Sequence, residues 1–279
     1  MENESRRWPA FGRVLLFFAS CAVLLATTAP LARRIPVLAP AFFIGTVASL
    51  GTFALTVLFV RWEGIGLKDV GASLGRQSLR RFAVGILLGL LLVALHTSIV
   101  AFDGHVRWVR APGVSFFEAA TALATYLLLS CREELAFHGY PLRRLEHLRG
   151  LLVSLVIVAF VFGIEHMAGG STWVESLFGA SIGSLLFGMA SIATKGLAVP
   201  IGLHAAWNFG DWMRGGKSSS GLWKLVVADG FQERVQLVAM SGYAVMMLSA
   251  TFAFWWWYRR SMHEGQGNVP RVTKILTVE

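Results

Sequence analysis

The chain has 279 residues, of which 55% are hydrophobic and only 15% charged, and its mean hydropathy is +0.61. These values exclude an ordinary soluble domain, whose water-facing surface needs a larger share of charged side chains. The formal net charge of +9 does not indicate a nucleic-acid partner, because no basic region with interleaved aromatic residues is present to line a groove. The composition therefore predicts an integral membrane protein in contact with membrane lipids.

Eight apolar segments are long enough, or nearly so, to cross a hydrocarbon core, which takes about 20 residues of helix. In chain order they are 11–29, 36–60, 82–101, 114–138, 150–168, 173–193, 196–212 and 234–258. We therefore predict an all-α fold, a polytopic membrane helix bundle of about eight transmembrane helices. The bundle is expected to form a single transmembrane domain over 1–260, followed by a disordered cytoplasmic tail over 261–279.

The basic residues predict the orientation of the bundle. If the amino terminus is cytoplasmic, 17 of the 25 Lys and Arg residues fall on the cytoplasmic side of the membrane and 8 on the other side. Short cytoplasmic loops of membrane proteins carry an excess of Lys and Arg. Both termini are therefore expected in the cytoplasm.

Some polar side chains in the apolar segments have structural explanations. Ser115 and Thr172 each precede a glutamate by three residues, Glu118 and Glu175, which is the spacing of a capping box at the start of a helix. These glutamates are expected to cap helices and not to take part in chemistry. His96 has no second polar cluster beside it and is expected to be a structural histidine.

Three of the apolar segments carry polar side chains that call for another explanation. Inserting a charged group into a membrane costs about 2.5–3.5 kcal/mol, so by default such a group faces the protein interior and has a function. Residues four apart share one face of a helix, which allows the three segments to contribute to one intramembrane site. In chain order the candidate site residues are Glu133, Glu134, His138, Phe162, His166, His204 and Asn208.

Glutamates and histidines in one buried site suit the hydrolysis of an amide by an activated water. A glutamate of the adjacent pair can act as general base, and its neighbour, about 100° around the helix, can hold a second partner. His166 and His204 can orient the water and stabilise an oxyanion together with Asn208. Alternatively, the two histidines can bind a divalent metal such as Zn together with Glu133. The soluble zinc-protease motif HExxH is absent, and no suitable Ser/His or Cys/His arrangement is present.

In this order, the residues give the chain a resemblance to the CPBP family of intramembrane proteases, also called the CAAX protease and bacteriocin-processing or Abi family. That family carries EExxxR, FxxxH and HxxxN or HxxxD on three membrane helices of a bundle. Here Glu133 and Glu134 supply the first motif, Phe162 and His166 the second, and His204–Asn208 the third. The resemblance covers about 120–212, within a motif-bearing core of about 114–212.

The resemblance implies a CAAX-type endopeptidase in which Glu133 and His166 activate water while His204 and Asn208 stabilise the tetrahedral intermediate. Its substrate is expected to be a membrane-anchored or prenylated protein or peptide. Short loops and the family together predict a location in a bacterial plasma membrane. The sequence does not specify the substrate, the cleavage site, the metal dependence or the oligomeric state.

One position departs from the family pattern. His138 stands where EExxxR has arginine, so a permanent bidentate cation is replaced by a group that is neutral for much of the time near pH 7. His138 and Phe162 are therefore expected to bind the substrate or to support the catalytic residues. Two other functions stay open: a non-catalytic membrane scaffold or immunity protein of the same fold, and a proton-coupled transporter with these residues as its relay.

Overall fold

The computed structural model describes residues 4–34, 39–217 and 221–267. Within these ranges the chain forms eight continuous helices, two of which contain a π-helical segment. The parts are α1 (Glu4–Arg34), α2 (Pro40–Trp62), α3 (Ser78–Phe102), α4 (Phe116–Glu133) with a π-helical segment (Glu134–Gly139) leading into α5 (Tyr140–Arg149), α6 (Leu151–Ala168), a second π-helical segment (Glu175–Ala180) leading into α7 (Ser181–Thr194), α8 (Ala198–Met213) and α9 (Gln232–Gly267). The predicted all-α bundle is confirmed, and each predicted segment corresponds to one of these helices.

Six of the helices are long and apolar enough to cross a membrane. The other two are α8 and the continuous helix that runs from α4 through its π-helical segment into α5, and together they carry five of the seven predicted site residues. α4 contains three charged residues, and α8 has only 16 residues, ten of which are buried. Because neighbouring helices surround α8, its composition reflects a protein interior more than a lipid environment. The architecture is that of a multi-pass membrane protein.

Glycines allow α3 and α8 to pack with their backbones in close contact. A Cβ atom on Gly85 or Gly89 of α3 would collide with the backbone around Leu203 of α8. In the reverse direction, a Cβ atom on Gly202 of α8 would collide with the backbone carbonyl of Phe82. Small residues at helix interfaces are the usual means of close approach in membranes. This contact fixes the position of α8, which carries two of the predicted site residues.

The larger hydrophobic core surrounds the first π-helical segment. Phe137 and Tyr140 are buried against Phe17 of α1, Phe59 of α2 and Phe162 of α6, with ring centroids 4.9 to 5.5 Å apart. Burial of each such side chain contributes about 1.5–3 kcal/mol. The core therefore holds the helix with the glutamate pair in a fixed position among α1, α2 and α6.

Glu63, directly after α2, joins three elements at one end of the bundle, which we call the Glu63 end. Its carboxylate oxygens accept hydrogen bonds from Arg13 of α1 (2.7 Å) and from the hydroxyl of Tyr140 (2.8 Å). Arg144 of α5 forms an ion pair with the same carboxylate at 2.6 Å. These contacts bring α1, the end of α2 and α5 together at this end of the bundle.

The opposite end carries a two-stranded antiparallel sheet that the sequence did not predict. β1 (Val106–Arg110) lies between α3 and α4, and β2 (Trp223–Val227) lies between α8 and α9. Each strand has only five residues. Their partners are far apart in the sequence, so no local pattern identifies the pairing.

Several smaller predictions are confirmed. Both capping boxes form: the amide of Glu118 donates to Ser115 Oγ, and the amide of Glu175 donates to Thr172 Oγ1, each over 3.2 Å. His96 is buried, and its Nε2 lies 2.8 Å from a backbone carbonyl oxygen of α9. These three residues therefore have structural partners outside the candidate site.

The last helix overlaps the start of the predicted tail, 261–279. α9 continues to Gly267, and the Ser261 hydroxyl donates to the Trp257 carbonyl within it. No glycine or proline interrupts the sequence between Tyr258 and His263, so nothing ends the helix at 261. The rest of the predicted tail, 268–279, lies outside the described residues, and the domain bounds stay a prediction.

Candidate active site

Glu134 is the centre of the candidate site. Its side chain is 0% exposed, and each of its two carboxylate oxygens accepts a hydrogen bond from a histidine. His138 Nδ1 donates to Oε2 over 2.8 Å, and His204 Nδ1 donates to Oε1 over 2.9 Å. Because an ionised carboxylate can only accept, both Nδ1 atoms carry a proton. Glu134 therefore fixes the tautomer and the ring orientation of histidines on two different helices.

His138 bridges the buried carboxylate and α7. Its ring is fully buried, and its Nε2 lies 2.9 Å from Ser184 Oγ. With the proton on Nδ1, the Nε2 atom of a neutral imidazole accepts a hydrogen bond from the hydroxyl. Both ring nitrogens are thus satisfied within the protein. The structure places His138 behind Glu134, away from any exposed surface.

The π-helical segment lets one helix present two adjacent carboxylates to the same histidine. α4 ends at Glu133 and the π-helical segment begins at Glu134, where the wider turn displaces the side chains that follow it. Glu134 contacts Nδ1 of His204, and Glu133 Oε2 lies 3.5 Å from Nε2 of that ring. The ring also stacks on Phe187, with centroids 4.1 Å apart. His204 is therefore hydrogen-bonded at Nδ1 and stacked on one face, with its Nε2 near Glu133.

The two carboxylates differ in their access to water. The Glu133 side chain is 14% exposed, whereas that of Glu134 is 0% exposed. A charged group without bulk solvent must be paired and hydrogen-bonded, as Glu134 is. The partly exposed Glu133 can contact a water molecule or a substrate, so the two adjacent glutamates lie in different environments.

A buried ion pair that the sequence analysis did not predict borders Glu133. The guanidinium of Arg132, whose side chain is 2% exposed, donates to both carboxylate oxygens of Glu165 on α6. Arg132 Nη1 also lies 3.9 Å from Glu133 Oε1. The pair joins the end of α4 to the part of α6 where His166 follows Glu165. Each partner is a charged residue inside an apolar run, and that signal could have identified it.

His166 lies near the end of α6, directly after Glu165. Its Nδ1 donates to the Phe162 carbonyl over 3.0 Å, so Nε2 is the nitrogen with the lone pair. The Phe162 ring lies among three imidazoles, with centroids 4.5 Å from His166, 6.0 Å from His138 and 6.3 Å from His204. In the described part of the chain, no hydrogen bond or ion pair joins His166 to Glu133.

Asn208 lies one helical turn after His204 on α8 and is half-buried. Its Oδ1 accepts a hydrogen bond from Lys217 Nζ over 3.4 Å, and the same ammonium lies 3.8 Å from Asp211. Asn208 thus shares the helix face of His204 without contacting the glutamate pair. Lys217 follows α8 in a polar loop, where a lysine gives no sequence signal of a role in a site.

The alternative prediction was a metal ion held by Glu133, His166 and His204. Among the residues that the structure describes, no three His, Cys, Asp or Glu side chains form a group able to hold a metal ion. Nδ1 of His204 is occupied by the buried carboxylate, and His166 is held by the carbonyl of its own helix. Both hydrogen bonds use Nδ1 only, and histidines that bind a metal through Nε2 commonly donate their other N–H in this way. A metal requirement therefore stays a prediction from the sequence.

The comparisons with known proteins address the motif-bearing part of the chain. Residues 115–210 match a family model described as type II CAAX prenyl endopeptidase Rce1-like. The match begins at the residue that caps α4 and ends within α8, so it spans every predicted site residue. No curated protein matches the chain. The match covers 96 of the 279 residues and confirms, over the motif-bearing region, the resemblance that the three motifs predicted.

Proposed function

We propose that the chain is an intramembrane endopeptidase that hydrolyses a peptide bond of a membrane-anchored or lipidated substrate with an activated water. The observation that carries this proposal is the division between two adjacent carboxylates. Buried Glu134 orients two imidazoles, and the partly exposed Glu133 lies 3.5 Å from one of them. A general base beside a positioned imidazole is what amide hydrolysis by water requires. The description of the matched family supports this reaction and makes a prenylated peptide a candidate substrate.

In the proposed reaction, Glu133 accepts a proton from a water molecule whose oxygen attacks the carbonyl carbon of the scissile bond. His166 orients this water through Nε2. The oxyanion accepts hydrogen bonds from the side-chain amide of Asn208 and from Nε2 of His204, which as an imidazolium also donates from Nδ1 to Glu134. Glu133 then transfers its proton to the amide nitrogen, the C–N bond breaks, and the two peptides leave.

The departure at His138 is compatible with a working site. In the structure His138 donates to Glu134 and accepts from Ser184, so no buried polar atom of the imidazole lacks a partner. Arg132 supplies a permanent cation next to the glutamate pair, since its Nη1 lies 3.9 Å from Glu133 Oε1. These contacts favour an enzyme over a scaffold in which the site has decayed.

We further propose that the Glu63 end faces the cytoplasm, with the protein in a bacterial plasma membrane and both termini on the cytoplasmic side. This orientation puts 17 of the 25 basic residues in the cytoplasm, as the distribution of Lys and Arg in membrane proteins favours.

The experiment compares the terminal peptides of membrane proteins from native cells that carry either the wild-type chain or Glu133→Gln at matched expression. New termini found only with the wild type would identify the substrate and the bond. Glu264→Gln is the matched control, because Glu264 is an exposed glutamate near the end of α9. We expect Glu264→Gln to leave the wild-type termini in place.

Identical terminal peptides for the wild type and Glu133→Gln, under conditions where deletion of the gene has a phenotype, would overturn the protease proposal. A non-catalytic scaffold would then be the better explanation. Insertion of each variant is checked by its folded yield in detergent, so that loss of the protein is not mistaken for loss of catalysis.

A further inference from the structure

A pocket of about 430 Å³ opens at the Glu63 end. It lies between α2, the loop that precedes α3, the junction of α4 with its π-helical segment, and the turn from α7 to α8. Its floor is apolar and is formed by Phe53, Cys131, Leu135, Leu197 and Ile201. A ligand that fills the pocket therefore rests on a surface similar to hydrocarbon.

The rim of this pocket is cationic. Arg76, Arg81 and Lys195 line it, and no acidic residue does. Arg81 donates to the Thr194 carbonyl over 3.3 Å and to Gln77 Oε1 over 3.4 Å, two neutral acceptors at distances where hydrogen bonds are weak. Within the described ranges, none of the three cations lies in an ion pair with an acidic side chain. The rim therefore offers an anionic ligand three cations that have no direct ion-pair partner among the described residues.

The rim is built on a fixed backbone. Lys195 ends α7 in the left-handed conformation, with φ of 54°, which glycine adopts with less strain. The amide of Leu197 donates to the carbonyl of Gly71 over 3.0 Å. This hydrogen bond links the loop before α3 to the turn between α7 and α8. The cations of the rim are thus carried by segments that are joined before any ligand binds.

We propose that this pocket binds an anionic phospholipid, with the headgroup phosphate at Arg76, Arg81 and Lys195 and one acyl chain on the apolar floor. Basic pockets between membrane helices on the cytoplasmic side are sites of this kind. The combination of three cations and an apolar floor selects an amphiphile over a soluble anion. Phe53 on α2 is 42% exposed, which opens the pocket towards surrounding lipid and gives an acyl chain a path into it.

The test uses the purified full chain with Glu133→Gln in a neutral detergent, so that lipid binding is measured independently of proteolysis. Native mass spectrometry follows the binding of phosphatidylglycerol and of phosphatidylcholine with the same acyl chains. We expect a clear preference for phosphatidylglycerol. Removing one cation of the rim by Arg76→Gln, Arg81→Gln or Lys195→Gln is expected to weaken that binding about fivefold, and the triple variant is expected to remove the preference.

Two further variants separate the pocket from general surface charge. A matched triple variant changes Arg61, Arg80 and Arg149 to Gln, because these are exposed arginines outside the pocket lining. It is expected to keep the preference. Ala198→Phe fills the pocket without changing its charge and is expected to weaken the binding of both lipids.

Three results would overturn the proposal. An equal loss in the matched triple variant would show attraction by diffuse surface charge. An unchanged preference in the rim triple variant would place the lipid elsewhere. Competition by soluble glycerol 3-phosphate at the same concentration as the lipid would show a site for small anions without a role for the acyl chain.

Discussion

Breaking the ion pair between Arg132 and Glu165 is expected to have unequal effects on stability, depending on which partner is removed. Arg132 is 2% exposed and Glu165 is 19% exposed. Glu165→Gln leaves a buried guanidinium whose remaining anion, Glu133, is 3.9 Å away. Removal of one partner of a buried pair costs about 3–5 kcal/mol of unfolding free energy. Arg132→Met leaves a carboxylate that can reach water, for which we expect a smaller cost of about 1–3 kcal/mol.

The double variant Arg132→Met with Glu165→Met tests the reasoning, because it leaves no charge without a partner. We expect it to be more stable than Glu165→Gln alone. The free energy of unfolding is measured by titration with a denaturing detergent, with fluorescence of the ten tryptophans as the signal. Additive effects of the single changes, or equal costs for Glu165→Gln and Arg132→Met, would refute the assignment of a coupled, buried pair.

The same pair is expected to position Glu133. In the charge-swapped variant Arg132→Glu with Glu165→Arg, an ion pair between α4 and α6 can form again, but an anion now adjoins Glu133. We therefore expect the stability to recover in part and the proposed peptidase activity to be lost. Recovery of both would show that the pair acts only as a link between the helices.

Three further outcomes follow from single contacts and are measured by the same detergent unfolding. His138→Ala removes one donor from the buried Glu134, and we expect a loss of about 1–3 kcal/mol. Gly89→Ala places a Cβ against the α8 backbone and is expected to cost about 1–3 kcal/mol, whereas Gly12→Ala, with nothing within 4 Å, should be tolerated. The hydrogen bond from Arg234 holds the pKa of Asp103 below its usual value. The stabilisation of the fold by the ionised Asp103 carboxylate is therefore complete above the unfolded aspartate pKa of about 3.9 and is lost as pH falls through the folded pKa. Asp103→Asn should remove this contribution to the pH dependence of the unfolding free energy between about pH 2 and 5.

The helices, and a contact between the glutamate pair and His204, could be predicted from the sequence because both follow from the cost of placing polar groups in a membrane. Long apolar runs have few alternatives to helix in a membrane. Charged or polar groups such as Glu134 and His204 within these runs must find partners in the protein, and the two are hydrogen-bonded in the structure. The order of the three motifs also indicated which three helices meet. The spacing of residues within one helix does not give this information.

The remaining features depend on three-dimensional contacts without a local signature. The side-chain spacing indicated that Glu133 and Glu134 point in different directions, but not which of them is enclosed, since the π-helical segment has no sequence signal. The role of Ser184 was invisible because serine is ordinary in membrane helices. Arg132 and Glu165 were visible as charges, yet their pairing required the relative height of α4 and α6, which helix lengths alone did not fix.

The small sheet has a consequence for the order of assembly. β1 and β2 enclose in sequence every helix from α4 to α8, and hence the whole candidate site. During synthesis β1 is complete before any of these helices exists, and its edge stays unpaired until β2 arrives after α8. Such a distant pairing forms late. A chain in which one of the intervening helices fails to insert leaves β2 on the opposite side of the membrane from β1, so the sheet cannot close in that molecule.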